Sequence, residues 1–308
     1  MSLAIVFPGQ GSQSVGMMQG FSDTPIVEKT FLEANAILGV DLWTMVRDGP
    51  AEALNQTVNT QPVMLAAGVA CWRAWQERSG PMPSWFAGHS LGEYSALVAA
   101  NSIRFEDALA LVRFRAQAMQ EAVPEGTGGI AAILGLAEGA LAEVCAEASQ
   151  GEVVEPANLN SPGQVVVAGH RGAVERAMAI AKSRGAKRAV MLPMSAPSHC
   201  SLMKPAAQRL RERLDEIEVR KPMIRVIHNR FVEAFDDPAK IRQALIEQLY
   251  NPVRWIETVE FLGRKGVTRI VECGPGKVLT GLSKRIVPDI ECIPLGDSAA
   301  LAAATAQA

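Results

Sequence analysis

The 308-residue chain is 48% hydrophobic and 20% charged, with a formal net charge of −2, the balance of a folded globular protein long enough for one large domain or two smaller ones. Its Lys and Arg are dispersed rather than gathered into a stripe, so no nucleic-acid partner is expected, and no run of about eighteen apolar residues suggests a membrane span. Five cysteines (Cys71, Cys145, Cys200, Cys273, Cys292), odd in number and without a C-x-x-C pair, argue against a disulfide framework or zinc site, and no metal or cofactor is expected.

The N-terminus lacks the basic n-region of a signal peptide, which predicts a cytoplasmic protein. Residues 3–7 form an apolar run that stops at Pro8-Gly9-Gln10-Gly11, the pattern of a buried strand ending in a glycine-rich turn. The spacing is not that of a dinucleotide fingerprint. The turn is either a connector or a place from which the Gln10 N–H points inward. Helical periodicity over residues 23–46 and 60–78 is explained by core packing.

Next come the apolar residues Trp85, Phe86 and Ala87, then Gly88-His89-Ser90-Leu91-Gly92, then a helix-forming run over 93–100. This is the pattern of a nucleophile elbow, in which small flanking residues allow a strained turn that presents a serine hydroxyl. The same turn aims the Leu91 N–H toward the place where a tetrahedral oxyanion would form. Taken alone, the motif also fits a serine that merely caps the following helix. Residues 105–122 read as an amphipathic helix whose Arg113 and Arg115, two apart, face different ways. Periodicity does not choose between them, and a pair of solvated helix charges is the plainer reading.

Over residues 128–192 the predicted order is βαββαβ: strand 130–134, helix 138–148, strands 153–159 and 164–168, helix 173–184, strand 188–192. That is a ferredoxin-like arrangement, with hinges at 125–129 and 193–197. The flanking chain must then form one interrupted domain. The expected architecture is α/β: a hydrolase-like large domain with a parallel central sheet (1–126 and 198–308) and an inserted ferredoxin-like subdomain (127–197), with substrate in the cleft between them.

A base for Ser90 must come from four histidines. The residue before the serine of an elbow is expected to point away, which disfavours His89. His170 and His228 follow strands, as surface or satisfied polar residues often do. His199, just past the second hinge and before a helix over 202–216, is the best candidate. The remainder reads as a strand at 224–228, helices at 238–249 and 252–265, a strand at 268–272, a turn at Gly274-Pro275-Gly276-Lys277 that lacks the P-loop spacing, a strand at 290–293 and an alanine-rich, frayed tail over 299–308.

Phe7-Pro8-Gly9-Gln10-Gly11-Ser12-Gln13, Gly88-His89-Ser90-Leu91-Gly92-Glu93-Tyr94, Arg115 with Met119-Gln120, Asn158-Leu159-Asn160-Ser161-Pro162-Gly163-Gln164, Pro197-Ser198-His199, Gln248-Leu249-Tyr250-Asn251-Pro252-Val253 and Glu272-Cys273-Gly274-Pro275-Gly276 together resemble the bacterial malonyl-CoA:acyl carrier protein transacylases over nearly the whole chain. The resemblance implies ping-pong transfer of malonyl from malonyl-CoA to the pantetheine thiol of holo acyl carrier protein through a malonyl-serine, in fatty acid synthesis. It makes Ser90 the nucleophile, His199 the base, the Gln248 backbone carbonyl the orienter of His199, and the Gln10 and Leu91 N–H groups the oxyanion hole. It also selects Arg115 as the grip on the malonyl carboxylate and Asn160 as a pocket residue.

An acidic carrier protein implies a basic docking patch, for which Lys182, Arg184, Lys187 and Arg188 are candidates beside the plainer reading of a solvated helix end. A monomer is expected. The rivals are a serine esterase or thioesterase of α/β-hydrolase type, needing an acid such as Asp107 or Glu143, and a non-catalytic carrier-binding protein. Within the transferases, a polyketide- or malonate-decarboxylase-associated malonyltransferase shares the motifs, although Leu91 and Ser198 resemble the fatty-acid type more.

Overall fold

The computed structural model describes residues 2–137, 139–193 and 196–306. Among the described residues, ten strands are distributed over two sheets: β1 (Leu3–Phe7), β2 (Trp85–Gly88), β3 (Gly128–Leu134), β4 (Val154–Ser161), β5 (Gln164–His170), β6 (Arg188–Met191), β7 (Arg225–His228), β8 (Glu233–Ala234), β9 (Arg269–Glu272) and β10 (Glu291–Pro294). The larger sheet has the order β10-β9-β1-β2-β7-β8. Its first five strands are mutually parallel. The expected parallel central sheet carries one antiparallel addition: β8 returns against β7 as a two-residue edge, too short to announce itself by alternation.

Both faces of this sheet are covered, which is why its central strands read as unbroken apolar runs. From β1, Leu3, Ile5 and Phe7 enter one core with Phe86 and the helices Thr57–Glu77, Gly92–Ala99 and Phe105–Glu121. Ala4 and Val6 enter a second core with Trp85, Ala87, Ile227 and the apolar side of the helix Trp255–Arg264. Parallel pairing of Phe7 with Gly88 brings the loops after β1 and β2 out side by side, and β7 adds its own end next to them. Loops at the carboxyl ends of parallel strands are where open α/β sheets bind ligands.

The smaller sheet, β4-β5-β3-β6, is antiparallel throughout. One face holds Ala131, Ile133 and Val167 against the helices Ala140–Ser149 and Arg171–Ser183. The other turns Ile130, Val166 and Ala168 toward Cys200. Backbone bonds Leu159 N to Val253 O and Val253 N to Ala157 O, both 2.9 Å, tie β4 to the segment before the helix Trp255–Arg264.

Several predicted elements shift. The helix expected over 23–46 is two, Pro25–Leu38 and Leu42–Asp48, because Gly39 takes the left-handed conformation (φ 65°) that ends the first. The helix expected over 202–216 opens with a 3-10 turn, Ser201–Met203, before Lys204–Asp215. The tail expected to fray is a helix, Ser298–Ala306, with Leu301 and Ala304 buried. Alanine's high helix propensity suffices once two side chains find a core. Glu138 at the start of one predicted helix, Met194 and Ser195 of the second hinge, and Gln307 and Ala308 of the tail lie outside the described residues.

Candidate active site

Ser90 is held in a left-handed conformation (φ 51°), a strain of about 1–3 kcal/mol that the flanking glycines make possible. A Cβ on Gly88 would lie 1.9 Å from the Gly92 carbonyl carbon, and one on Gly92 would lie 2.0 Å from the Phe7 carbonyl oxygen. Asn229, at the end of β7, braces the turn: its Oδ1 accepts from Ser90 N at 2.7 Å and its Nδ2 donates to Gly88 O at 2.6 Å. Ser90 therefore does more than cap a helix; its hydroxyl is free to face the cleft.

The hydroxyl meets His199, whose Nε2 lies 2.7 Å from Ser90 Oγ. Its Nδ1 lies 2.8 Å from the Gln248 carbonyl oxygen. A carbonyl only accepts, so Nδ1 carries the proton and Nε2 presents a lone pair to the serine. The imidazole is thus oriented by a backbone carbonyl at the end of the helix Pro238–Gln248. Asp107 instead binds Arg104 and Glu143 binds Arg184, so neither acid considered for an esterase triad serves His199.

His199 is buried, and its pKa is pushed down to about 3, first by loss of water around the ring and next by the Arg115 charge. The lowered value means the folded enzyme keeps the neutral, proton-accepting form far below the ordinary 6.5. Acylation by malonyl-CoA, followed by quenched-flow mass spectrometry, is expected to change by less than about twofold between about pH 8 and pH 5. A midpoint near 6.5 would refute that. The unfolded imidazole does protonate near its ordinary value, so this group's effect on stability is neutral above it and destabilising as pH falls through the window down to about 3.

Arg115 settles the ambiguity that periodicity left. Its guanidinium is buried and donates to Gln61 Oε1 (2.9 Å), Gln248 Oε1 (3.0 Å) and Ser90 Oγ (3.3 Å). Arg113 is half-buried and donates to the Leu38 carbonyl, away from the serine. Arg115 has no carboxylate within ion-pair distance among the described residues, and desolvation lowers its pKa. The Glu93 charge reaches it only from behind Gln248, and a buried cation with no carboxylate in direct contact is costly and favours an anionic ligand.

The cleft, about 180 Å³, is lined by the polar residues Gln10, His89, Ser90, Arg115, Asn160 and His199 and by the apolar residues Leu91, Ile130, Val166, Leu192, Leu279 and Leu282. The Gln10 and Leu91 N–H groups donate to no protein acceptor among the described residues, which leaves both available to a ligand. His89 does not point away as expected for the residue before the serine. It lines the cleft, but its Nε2 bonds Asn160 Oδ1 at 2.8 Å, not the serine. His228 is buried, with Nδ1 2.7 Å from Glu93 Oε1, and His170 accepts from Val153 N through Nδ1.

Four residues around the site escaped the sequence reading: Gln61, Glu93, Asn229 and the side chain of Gln248, all buried. Glu93 Oε2 accepts from Gln248 Nε2 (2.8 Å) and Asn229 N (3.0 Å). The one available signal was a carboxylate inside a helix, Gly92–Ala99, that is otherwise apolar or small and buried throughout. Of the basic cluster near residue 185, Arg184 is engaged by Glu143 (2.7 Å) and Glu147 (2.6 Å) of the neighbouring helix, so its charge is largely offset locally. Lys182, Lys187 and Arg188 are exposed.

Residues 4–287 match the acyl transferase domain family. The chain is 56% identical over 305 residues, 99% of each chain, to the malonyl CoA-acyl carrier protein transacylase of Salmonella typhimurium. Among solved structures, the malonyl CoA-acyl carrier protein transacylase of Coxiella burnetii superposes with a TM-score of 0.98 at 47% identity, covering 100% of this chain and 98% of that one. A malonyl-transacylase in complex with a type II PKS acyl-carrier protein superposes equally well, TM-score 0.98 at 52% identity and 100% of both chains. With its strained serine, carbonyl-oriented histidine and buried arginine held by amides, this chain belongs to the acyl transferase domain family, among the bacterial malonyl CoA-acyl carrier protein transacylases.

Proposed function

We propose that this protein transfers malonyl from malonyl-CoA to the pantetheine thiol of holo acyl carrier protein, supplying fatty acid synthesis. The observation that carries the reading is Arg115, a buried guanidinium without a carboxylate partner, 3.3 Å from the Ser90 hydroxyl. An acyl group held on Ser90 and bearing its own carboxylate meets that cation with a bidentate pair of charge-assisted hydrogen bonds.

In the first half-reaction Ser90 Oγ attacks the thioester carbonyl as its proton passes to His199 Nε2. The carbonyl oxygen takes the negative charge and is held by the Gln10 and Leu91 N–H groups, each worth about 10²- to 10³-fold. Collapse breaks the C–S bond, and the departing CoA thiolate recovers the proton from His199. In the second half the carrier's thiol gives its proton to His199 and attacks the ester. Ser90 leaves and takes that proton back. Asn160 holds His89 along the pocket wall.

We read the chain as a hydrolase-like large unit, 1–126 and 198–308, interrupted by a ferredoxin-like unit, 127–197. Its strand and helix order supports the latter label. The enzyme is read as a cytoplasmic monomer, and Lys182, Lys187 and Arg188 as carrier-docking candidates. The absence of an acid at His199 Nδ1 weighs against the esterase. The 2.7 Å Ser90–His199 contact weighs against a passive binding protein.

The test is intact-protein mass after mixing with malonyl-CoA, followed by addition of holo acyl carrier protein. A single malonyl adduct that persists in water and moves to the carrier is expected. An adduct that hydrolyses as fast without the carrier would indicate an esterase, and no adduct would indicate a binding protein.

A further inference from the structure

Arg115 is held in place by two amides and no acid. Gln61 Oε1 accepts from Arg115 Nη1 at 2.9 Å and Gln248 Oε1 accepts from Arg115 Nη2 at 3.0 Å. Each oxygen aims an N–H of the guanidinium without cancelling its charge, as a carboxylate in the same place would. The second amide is itself prevented from turning over. Its Nε2 lies between Ser90 O (3.0 Å) and Glu93 Oε2 (2.8 Å), and both accept hydrogen bonds. Glu93 is fixed in turn by Asn229 N and by His228. Reversing the Gln248 amide would set its NH2 against the guanidinium and its oxygen against two acceptors. Among the described residues Gln61 Nε2 has only the Met119 sulfur as a partner, 3.6 Å away, so its role is not explained by a strong second bond.

We propose that Gln61 and Gln248 are specificity-determining positioning residues, a neutral clamp that aims Arg115 while leaving its positive charge for the substrate carboxylate, with Glu93 locking the Gln248 amide. This rests on the malonyl-transfer reading above. It identifies position 61 as the place where one atom, O in place of N, sets a carboxylate in direct contact with Arg115, where now only the more distant Glu93 charge acts on it. Gln61→Glu keeps the length and shape of the side chain and supplies Arg115 with an internal counter-ion, so the buried pair is compensated and the fold is not asked to hold a lone charge.

The experiment measures acylation of Ser90 by malonyl-CoA and by acetyl-CoA, as kcat and KM, in wild type, Gln61→Glu and Gln61→Met. For Gln61→Glu, malonyl acylation is expected to fall about 100-fold or more, while acetyl acylation falls by less than about tenfold. For Gln61→Met, which removes the aim but not the charge, malonyl KM is expected to rise about tenfold with a smaller change in kcat. Acetyl acylation should stay within about threefold. If Gln61→Glu does not fold, the KM-against-kcat split of Gln61→Met decides alone. Equal losses for both acyl groups would make Gln61 a packing residue and overturn the proposal, as would an unchanged malonyl preference. A wild-type protein that forms no malonyl adduct would instead refute the functional reading, so the two failures are distinguishable.

Discussion

Ser90→Ala is expected to abolish the malonyl adduct and to lower transfer to the carrier by about 10⁴-fold or more, while the protein stays folded. The chemical reason is that, of the serines lining the cleft (Ser12, Ser90 and Ser198), Ser90 is the one hydrogen-bonded to His199 among the described residues. His199 Nε2 is directed at Ser90 Oγ, and the five cysteines are all buried. The fold should survive because the elbow is secured by backbone groups, Ser90 N to Asn229 Oδ1 and Gly88 O to Asn229 Nδ2, which alanine keeps. Alanine must adopt the same positive φ, so a loss of about 1 kcal/mol in stability is the most that is anticipated. Intact mass and a thermal melt check both halves. An adduct that persists in Ser90→Ala would place the nucleophile elsewhere.

Arg115→Ala carries the second large effect, on choice of acyl group. Removing the guanidinium takes away the counter-charge to the malonyl carboxylate in a site shielded from water, and malonyl transfer is expected to fall by about 10²- to 10³-fold. Acetyl transfer should hold or rise, since an acetyl group leaves no buried anion to satisfy. A further consequence follows at His199, where the Arg115 charge is the second cause of the lowered pKa. With that charge gone the imidazole titrates closer to its ordinary 6.5, and the acid limb of the acetyl reaction should move upward in pH. Competition between malonyl-CoA and acetyl-CoA, with a pH profile of the second, measures this. Equal loss with both donors would show that Arg115 serves packing alone.

The same residues mark how far local pattern reaches. The apolar runs of β1, β2 and β9, the glycines around Ser90 and the βαββαβ order from β3 to β6 are short-range features. A buried strand needs apolar side chains on both faces, and a sharp turn needs positions without a Cβ. Those demands act on neighbours in the chain and are therefore written in neighbours.

Contacts between distant segments are not. His199 meets Ser90 across 109 residues and Gln248 meets Arg115 across 133. Arg113 and Arg115 are alike on a helical wheel apart from direction, and only the packing of the helix Phe105–Glu121 against Thr57–Glu77 buries one beside Gln61 and leaves the other at Leu38. Arg184 looked like part of a basic surface until two glutamates of another helix closed on it. Asn229 and Gln61 carry no local mark, since a polar residue in a helix or after a strand is ordinary until its surroundings exclude water, and Glu93 carries only that of a carboxylate in an otherwise apolar or small helix.

By itself the sequence determined the elements, the strained elbow and, through its ordered motifs, the family. The resemblance implied the Gln248 carbonyl and Arg115, and the tertiary structure decided what composition and periodicity left open: which cation is buried and which amides hold it. Those are properties of burial and hydrogen-bond partnership, and they exist only once separate segments have packed together.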